Sequence, residues 1–180
     1  MNDDHTSPAR PSPSDKTVFG SDSGSAVESA TLSALFPSPP RPWQEMWAAV
    51  ELSLARMEQW RNTDEEVNIT GFCLDVYGFF VTCYHLGEHI KLDPHAEVSA
   101  ADVTQVLATD PLRVAEAMAN TFKHHTRHPD RTEARIAAVS GGPPATVTLE
   151  WQARSLDGLV IAKQAMQAWK EFFAAQGLHP

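Results

Sequence analysis

The stretch Phe72-Cys-Leu-Asp-Val-Tyr-Gly-Phe-Phe-Val-Thr-Cys-Tyr-His-Leu-Gly-Glu-His-Ile90 decides the fold. Its apolar residues Phe72, Val76, Phe79, Cys83, Leu86 and Ile90 recur at alternating steps of four and three, the seam of a helix that lies lengthwise against another. Leu74, Val81 and Leu92 populate the opposite side, so the spacing predicts a central helix packed on more than one face.

Upstream, Trp43, Trp47, Val50, Leu54, Met57 and Trp60 follow the same period, and the polar residues 62–66 break it, which gives a first amphipathic helix. Downstream, Ser99 and Asp102 resemble a capping box that opens a short helix to about Leu107. Asp110 as N-cap and Pro111 at the first helical position open a longer one to about His125. Its stripe is Leu112, Ala115, Met118, Ala119 and Phe122, with Arg113, Glu116, Asn120 and His124 on the flank. The residues 134–139 and 145–151 then alternate or are β-branched around Gly141-Gly-Pro-Pro144. They predict a two-stranded hairpin at about 133–152, with Val147, Leu149 and Trp151 facing the core. Asp157 leads a last helix with Leu159, Ala162, Ala165, Met166, Trp169, Phe172 and Phe173 on its apolar side, and Gly177 is placed to cap its end. The expected fold is mainly α, a four- to five-helix bundle with an inserted two-stranded β-hairpin. No internal repeat is visible.

The chain has 180 residues, 42% of them hydrophobic, enough for one domain with a substantial core and too few for two ordinary ones. Residues 1–41 are rich in Ser, Pro, Asp and Gly and read as a disordered tail ahead of a single helical domain at 42–180. The apolar run Ala30-Thr-Leu-Ser-Ala-Leu-Phe36 inside it reads either as a docking motif for a protein partner or as a transient helical turn. A formal charge of −9 opposes non-specific binding to nucleic acid or to an anionic membrane surface. Cys73 and Cys83, ten residues apart on one helix, would lie roughly 15 Å apart and cannot pair. No apolar stretch approaches the ~20 residues needed to span a bilayer, and the first residues are polar and acidic, unlike a signal peptide. A cytoplasmic, membrane-free setting is expected.

Chemistry concentrates in two clusters, His85-Leu-Gly-Glu88-His89 and Asn120-Thr-Phe-Lys123-His124-His125, which hold four of the eight histidines. His85 and His89 lie one helical turn apart with Glu88 on the same side, an arrangement that can grip one divalent metal with His125 or His124 completing the set. The string also matches the inverted zinc-protease signature, in a chain far smaller than those enzymes. The bland alternative has His85 and Glu88 bonding to the neighbouring helix and His89 resting against the helix dipole. In the second cluster Asn120 and His124 are neighbours four apart. Lys123, Arg127, His128 and Arg131 make a cationic stretch that suits a phosphate, or only the negative end of a helix dipole.

The order of these pieces resembles a family of bacterial helical proteins without an assigned activity. Its marks are an aromatic-rich helix ending His-Leu-x-Asp/Glu, then Ala-Asn-x-x-Lys-His, a short hairpin, and a last helix with Ala and Trp. Here they are Phe79-Phe80 through Glu88, Ala119 through His124, the hairpin near Ser140, and Asp157-Gly158 through Trp169, over roughly residues 60–177. More distantly, Ala119 to His124 is similar to the HEPN superfamily, helical and usually dimeric proteins, many of them RNA-cleaving toxins or defence factors. Asn120 matches that family's polar residue and His124 its histidine, while Ala119 occupies the place of its arginine, leaving Lys123 or Arg113 to stand in. The resemblance implies a homodimer whose catalytic residues are His85, Glu88, Asn120 and His124, with Lys123 and Arg127 on phosphate, acting on or binding RNA or a nucleotide. One alternative is a metal-dependent enzyme with His85, Glu88, His89 and His125 as ligands and a small substrate. Another is a non-catalytic interaction module in which the clusters are buried hydrogen-bond networks.

Overall fold

The computed structural model describes residues 42–123 and 133–180. Among them are five helices and three strands: α1 (Pro42–Arg61), α2 (Ile69–Leu92), α3 (Ala100–Leu107), α4 (Asp110–Lys123), β1 (Ala134–Ser140), β2 (Thr146–Trp151), β3 (Arg154–Asp157) and α5 (Gly158–Gln176). The chain is thus mainly helical with a small antiparallel sheet.

α2 is the hub, in contact with α1, α3, α4, α5 and β1. All six residues of its four-three seam are buried. The opposite side behaves differently from the sequence expectation: Leu74 and Leu92 are exposed, Leu92 to 81%. A helix that is apolar nearly all round is here covered on most of its circumference only. By length and composition alone α2 would also suffice to cross a membrane, which corrects the reading that no stretch is long enough. α1 runs antiparallel to α2, tied where the Trp60 Nε1–H donates to Asp75 Oδ2 at 2.7 Å and Arg56 pairs with the same carboxylate at 3.5 Å.

Most helix ends follow side-chain chemistry legible in the sequence. Asn68 accepts the Gly71 amide at 3.0 Å and Ser99 the Asp102 amide at 3.1 Å. Asp102 departs from the capping-box pattern, because its carboxylate accepts the Ser99 hydroxyl at 2.6 Å. Asp110 is not the N-cap of α4. The Thr109 carbonyl receives the first helical bond, from the Arg113 amide at 2.9 Å, and Asp110 stands inside the first turn, where a carboxylate favours the positive end of the dipole. Gly177 closes α5 in the left-handed region at φ 65°.

The sheet has strand order β1-β2-β3, with a bulge between Ile136 and Ala138. Val147, Leu149 and Trp151 point inward and are buried, and Arg135 forms a fork of two bonds to Glu150 across the β1–β2 pair at 3.1 and 2.6 Å. β3 is additional to the expected hairpin. Its four residues follow a turn at Gln152 and Ala153 with φ of 50° and 59°, a conformation usually signalled by Asn or Gly. Gly158 starts α5 so close to β2 that a Cβ there would lie 2.6 Å from Val147 Cγ1, and a larger residue requires the Val147 side chain to move.

Asp157 joins these layers. It pairs with Thr148 at the end of β3, caps α5 by accepting the Leu159 and Val160 amides at 2.9 and 3.1 Å, and meets Arg61 at the end of α1 at 3.0 Å. Burial alone would raise its carboxyl, but the hydrogen bonds from Arg61 and the two amides, with the charge of Arg61, outweigh that and hold it below the ordinary carboxylate range. A depressed carboxyl stabilises the fold above its unfolded pKa and loses that contribution as pH falls through the folded one. Asp157→Ala is therefore expected to cost about 1–2 kcal/mol at neutral pH. The gap between wild type and variant should close in acid, as measured by thermal denaturation from pH 7 to pH 3. A gap that stays constant over that range would remove the carboxylate from the account.

Candidate functional site

α2 and α4 are antiparallel neighbours, and their register places the polar residues. Tyr77 meets Phe122 with ring centroids 5.3 Å apart, and two turns further along α2 Tyr84 lies within electrostatic reach of Glu116. α3 closes the end of this pair. Gly87 leaves room for its Leu107 side chain, because a Cβ at that position would stand 2.9 Å from Leu107 Cδ1. With no side chain there, Leu107 settles against α2, and the three helices enclose an open cleft of about 350 Å³ lined by Tyr84, Thr104, Leu107, Ala108, Arg113 and Glu116.

His85 and Glu88 stand beside this cleft. His85 Nδ1 lies 2.6 Å from Glu88 Oε2. An ionised carboxylate only accepts, so Nδ1–H donates, and in the neutral imidazole this fixes the tautomer that leaves Nε2 as the free acceptor. Among the described residues Nε2 has no partner. This corrects the reading in which both side chains bond across to the neighbouring helix: they bond to each other, at the surface, with 34% and 57% of their side chains exposed. The Tyr84 ring lies next to the His85 ring, at 5.3 Å between centroids. Burial raises the Tyr84 phenol, and the negative charges of Glu116 and Glu88 raise it further, so it remains a protonated donor at neutral pH.

Arg113 contributes the positive charge. Its guanidinium sits over the buried Trp151 ring, 5.8 Å from the centroid, a cation–π contact that holds it at the cleft. Along the same flank of α4 follow Glu116, the half-buried Asn120 and the exposed Lys123, spaced by three or four residues and therefore on one line of the helix surface. Seven residues separate Glu116 from Lys123, about 10 Å along the axis. Asn120 is thus about one turn, and Lys123 about two, beyond the level of Tyr84 and His85. The two clusters share one helix interface but do not converge on one point.

His124, His125, Arg127, His128 and Arg131 lie outside the described residues. The metal set of His85, Glu88, His89 and His125 does not close without them: among the described residues no three His, Cys, Asp or Glu side chains come together where they could hold an ion. His89 is half-buried and, among the described residues, makes no side-chain hydrogen bond or ion pair. The residues that sequence reasoning left out of the site are Tyr84, Thr104 and Glu116. Glu116 could have been found from its place on the flank between Arg113 and Asn120, and Tyr84 from its position one turn before Glu88. Thr104 carried no signal, since it reaches the site only through the packing of α3.

No protein-family model, curated protein or solved structure matches the chain.

Proposed function

We propose that the chain is a HEPN-like helical protein that binds single-stranded RNA along the flank of α4 and acts on it with His85. The observation that carries this reading is the His85–Glu88 pair: a carboxylate that fixes an imidazole tautomer and leaves the other nitrogen exposed is the arrangement of an oriented general base. The free Nε2 takes the proton of a ribose 2′-hydroxyl. The 2′ oxygen then bonds to the adjacent phosphorus, and the 5′ oxygen leaves with a proton from water, because the Asn120 to Lys123 end of α4 lies one to two turns from His85. Arg113 takes the place of the absent family arginine and offsets charge on the phosphate, while Asn120 and Lys123 hold the backbone one and two turns away, and Arg127, outside the described residues, is a further phosphate contact in this reading. The distance from Arg113 to Lys123, about 15 Å along the helix, suits successive nucleotides of a strand better than one mononucleotide.

The test is fluorescence anisotropy with a labelled single-stranded RNA, followed by separation of products. Binding that weakens with salt, with a logarithmic slope near −2 for three phosphate contacts at about −0.7 each, together with cleavage, supports the reading. Absence of both binding and cleavage sinks it. A second reading, a non-catalytic interaction module, is favoured by the exposed apolar residues Leu74 and Phe122 beside Tyr77. It predicts an apolar partner at that surface and no effect of His85 on any turnover.

A further inference from the structure

From the cleft between α2, α3 and α4 we infer a base-reading site for guanine, in which the Glu116 carboxylate takes the two adjacent N–H donors of the base. This rests on the RNA-binding reading and extends it from backbone contact to sequence preference.

The cleft has the size and lining of a small-ligand site. Its volume of about 350 Å³ falls within the roughly 300–1,000 Å³ of such sites. Leu107 and Ala108 give it an apolar wall, and the Tyr84 ring gives an aromatic surface of the kind on which unstacked bases rest. The polar groups are few and of distinct character. Glu116 only accepts, the Tyr84 hydroxyl stays protonated and can donate, and Arg113 only donates.

These three groups discriminate among bases. Guanine presents N1–H and N2–H side by side, matched to the two oxygens of one carboxylate, with the acceptor O6 next to them for Arg113 while the base rests on the Tyr84 ring. Adenine places the acceptor N1 beside its amine, and cytosine places N3 there, so a carboxylate facing either meets a lone pair. Uracil has a single N–H between two acceptors. Only guanine satisfies Glu116 with two bonds. Its neighbours leave that carboxylate available: Glu116 has no hydrogen bond or ion pair among the described residues, whereas Glu88 is occupied by His85.

The experiment measures binding of two labelled single-stranded RNAs, an oligoadenylate and the same strand with one central guanosine, to wild type and to Glu116→Gln. A third strand carries inosine, which lacks the N2 amine, at the central position. Wild type is expected to prefer the guanosine strand about tenfold, the gain of one good bidentate pair, with inosine intermediate, and Glu116→Gln to bring the ratio near one. Glu116 is exposed, and an unchanged melting temperature checks that the variant is folded. Equal binding of all strands by wild type overturns the guanine site and leaves the RNA-binding reading intact. A preference that persists in Glu116→Gln overturns the role of Glu116. Failure to bind any strand overturns the RNA-binding reading itself, and the inference with it.

Discussion

His85→Ala is expected to lower RNA cleavage by about 10²–10⁴-fold, the usual contribution of a positioned general base, while the melting temperature stays where it was. The two halves of this expectation have separate physical origins. An i,i+3 pair with a third or more of each side chain in water is worth roughly 0–1 kcal/mol to the fold. The pair is therefore a poor candidate for a structural role, and a buried network, as the interaction-module reading assumes, does not describe it. Removing the imidazole takes away the nitrogen that Glu88 orients beside the cleft. Glu88→Gln should give a smaller loss: the amide can still hold Nδ1–H through its oxygen but no longer stabilises an imidazolium. RNA binding should change little in either variant, since the phosphate contacts come from α4. Cleavage by His85→Ala at the wild-type rate would show that the base lies elsewhere, and a several-degree drop in melting temperature would return the pair to a structural role.

The second large effect concerns the core. Trp169→Ala is expected to cost about 3–5 kcal/mol, a large part of the roughly 5–15 kcal/mol that holds a domain together. Trp169 is fully buried, and its Nε1–H donates to the Cys83 carbonyl of α2 at 3.1 Å. It also stacks near Phe173, which in turn packs on Trp43 and Trp47 at 5.4 and 4.9 Å. One side chain thus links α5 to α2 directly and to α1 through its neighbour. Trp169→Phe keeps most of the apolar contact and gives up the hydrogen bond, so a loss nearer 1 kcal/mol is expected. Urea denaturation followed by circular dichroism measures both. Cys83 provides an independent readout, because burial pushes its thiol up to about 12 and leaves it unreactive. In the alanine variant Cys83 should become open to alkylation, whereas in wild type only the half-buried Cys73 is within reach. Less than 1 kcal/mol of destabilisation for the alanine variant would contradict the central place given to this residue.

Those two residues also mark what the sequence made legible. Periodicity alone places Trp169 on the core side, as it does Phe79 and Leu149, because burial of one face repeats at 3.6 or 2 residues and leaves a trace in the order of side chains. Phe122 follows the same period and yet faces solvent, and Leu74, opposite the seam of α2, is left uncovered, since periodicity tells which residues share a face and not where the neighbouring helix ends. β3 left no trace either: four residues do not establish an alternation, and Gln152-Ala153 lacks the usual turn residues. At the site, His85 and Glu88 were visible as a spacing on one helix. The cleft was not, because it depends on Gly87 admitting Leu107 and on the antiparallel offset of α2 and α4, and both are properties of packing between elements far apart in the chain.

The direct junction of β3 and α5 limits how this chain can vary in length. No residue separates the last strand position, Asp157, from the first helical one, Gly158. One residue inserted there would turn all of α5 by about 100° about its axis and carry Trp169 and Phe173 off the core, or else detach Asp157 from Thr148 and Arg61. The connection between β1 and β2 has the exposed Gly142, Pro143 and Pro144 at its tip and could lengthen without either consequence. Insertions and tags should accordingly be tolerated at 142–144 and rejected at 157–158, which makes the first position the place to attach a reporter when RNA binding is followed in the intact protein.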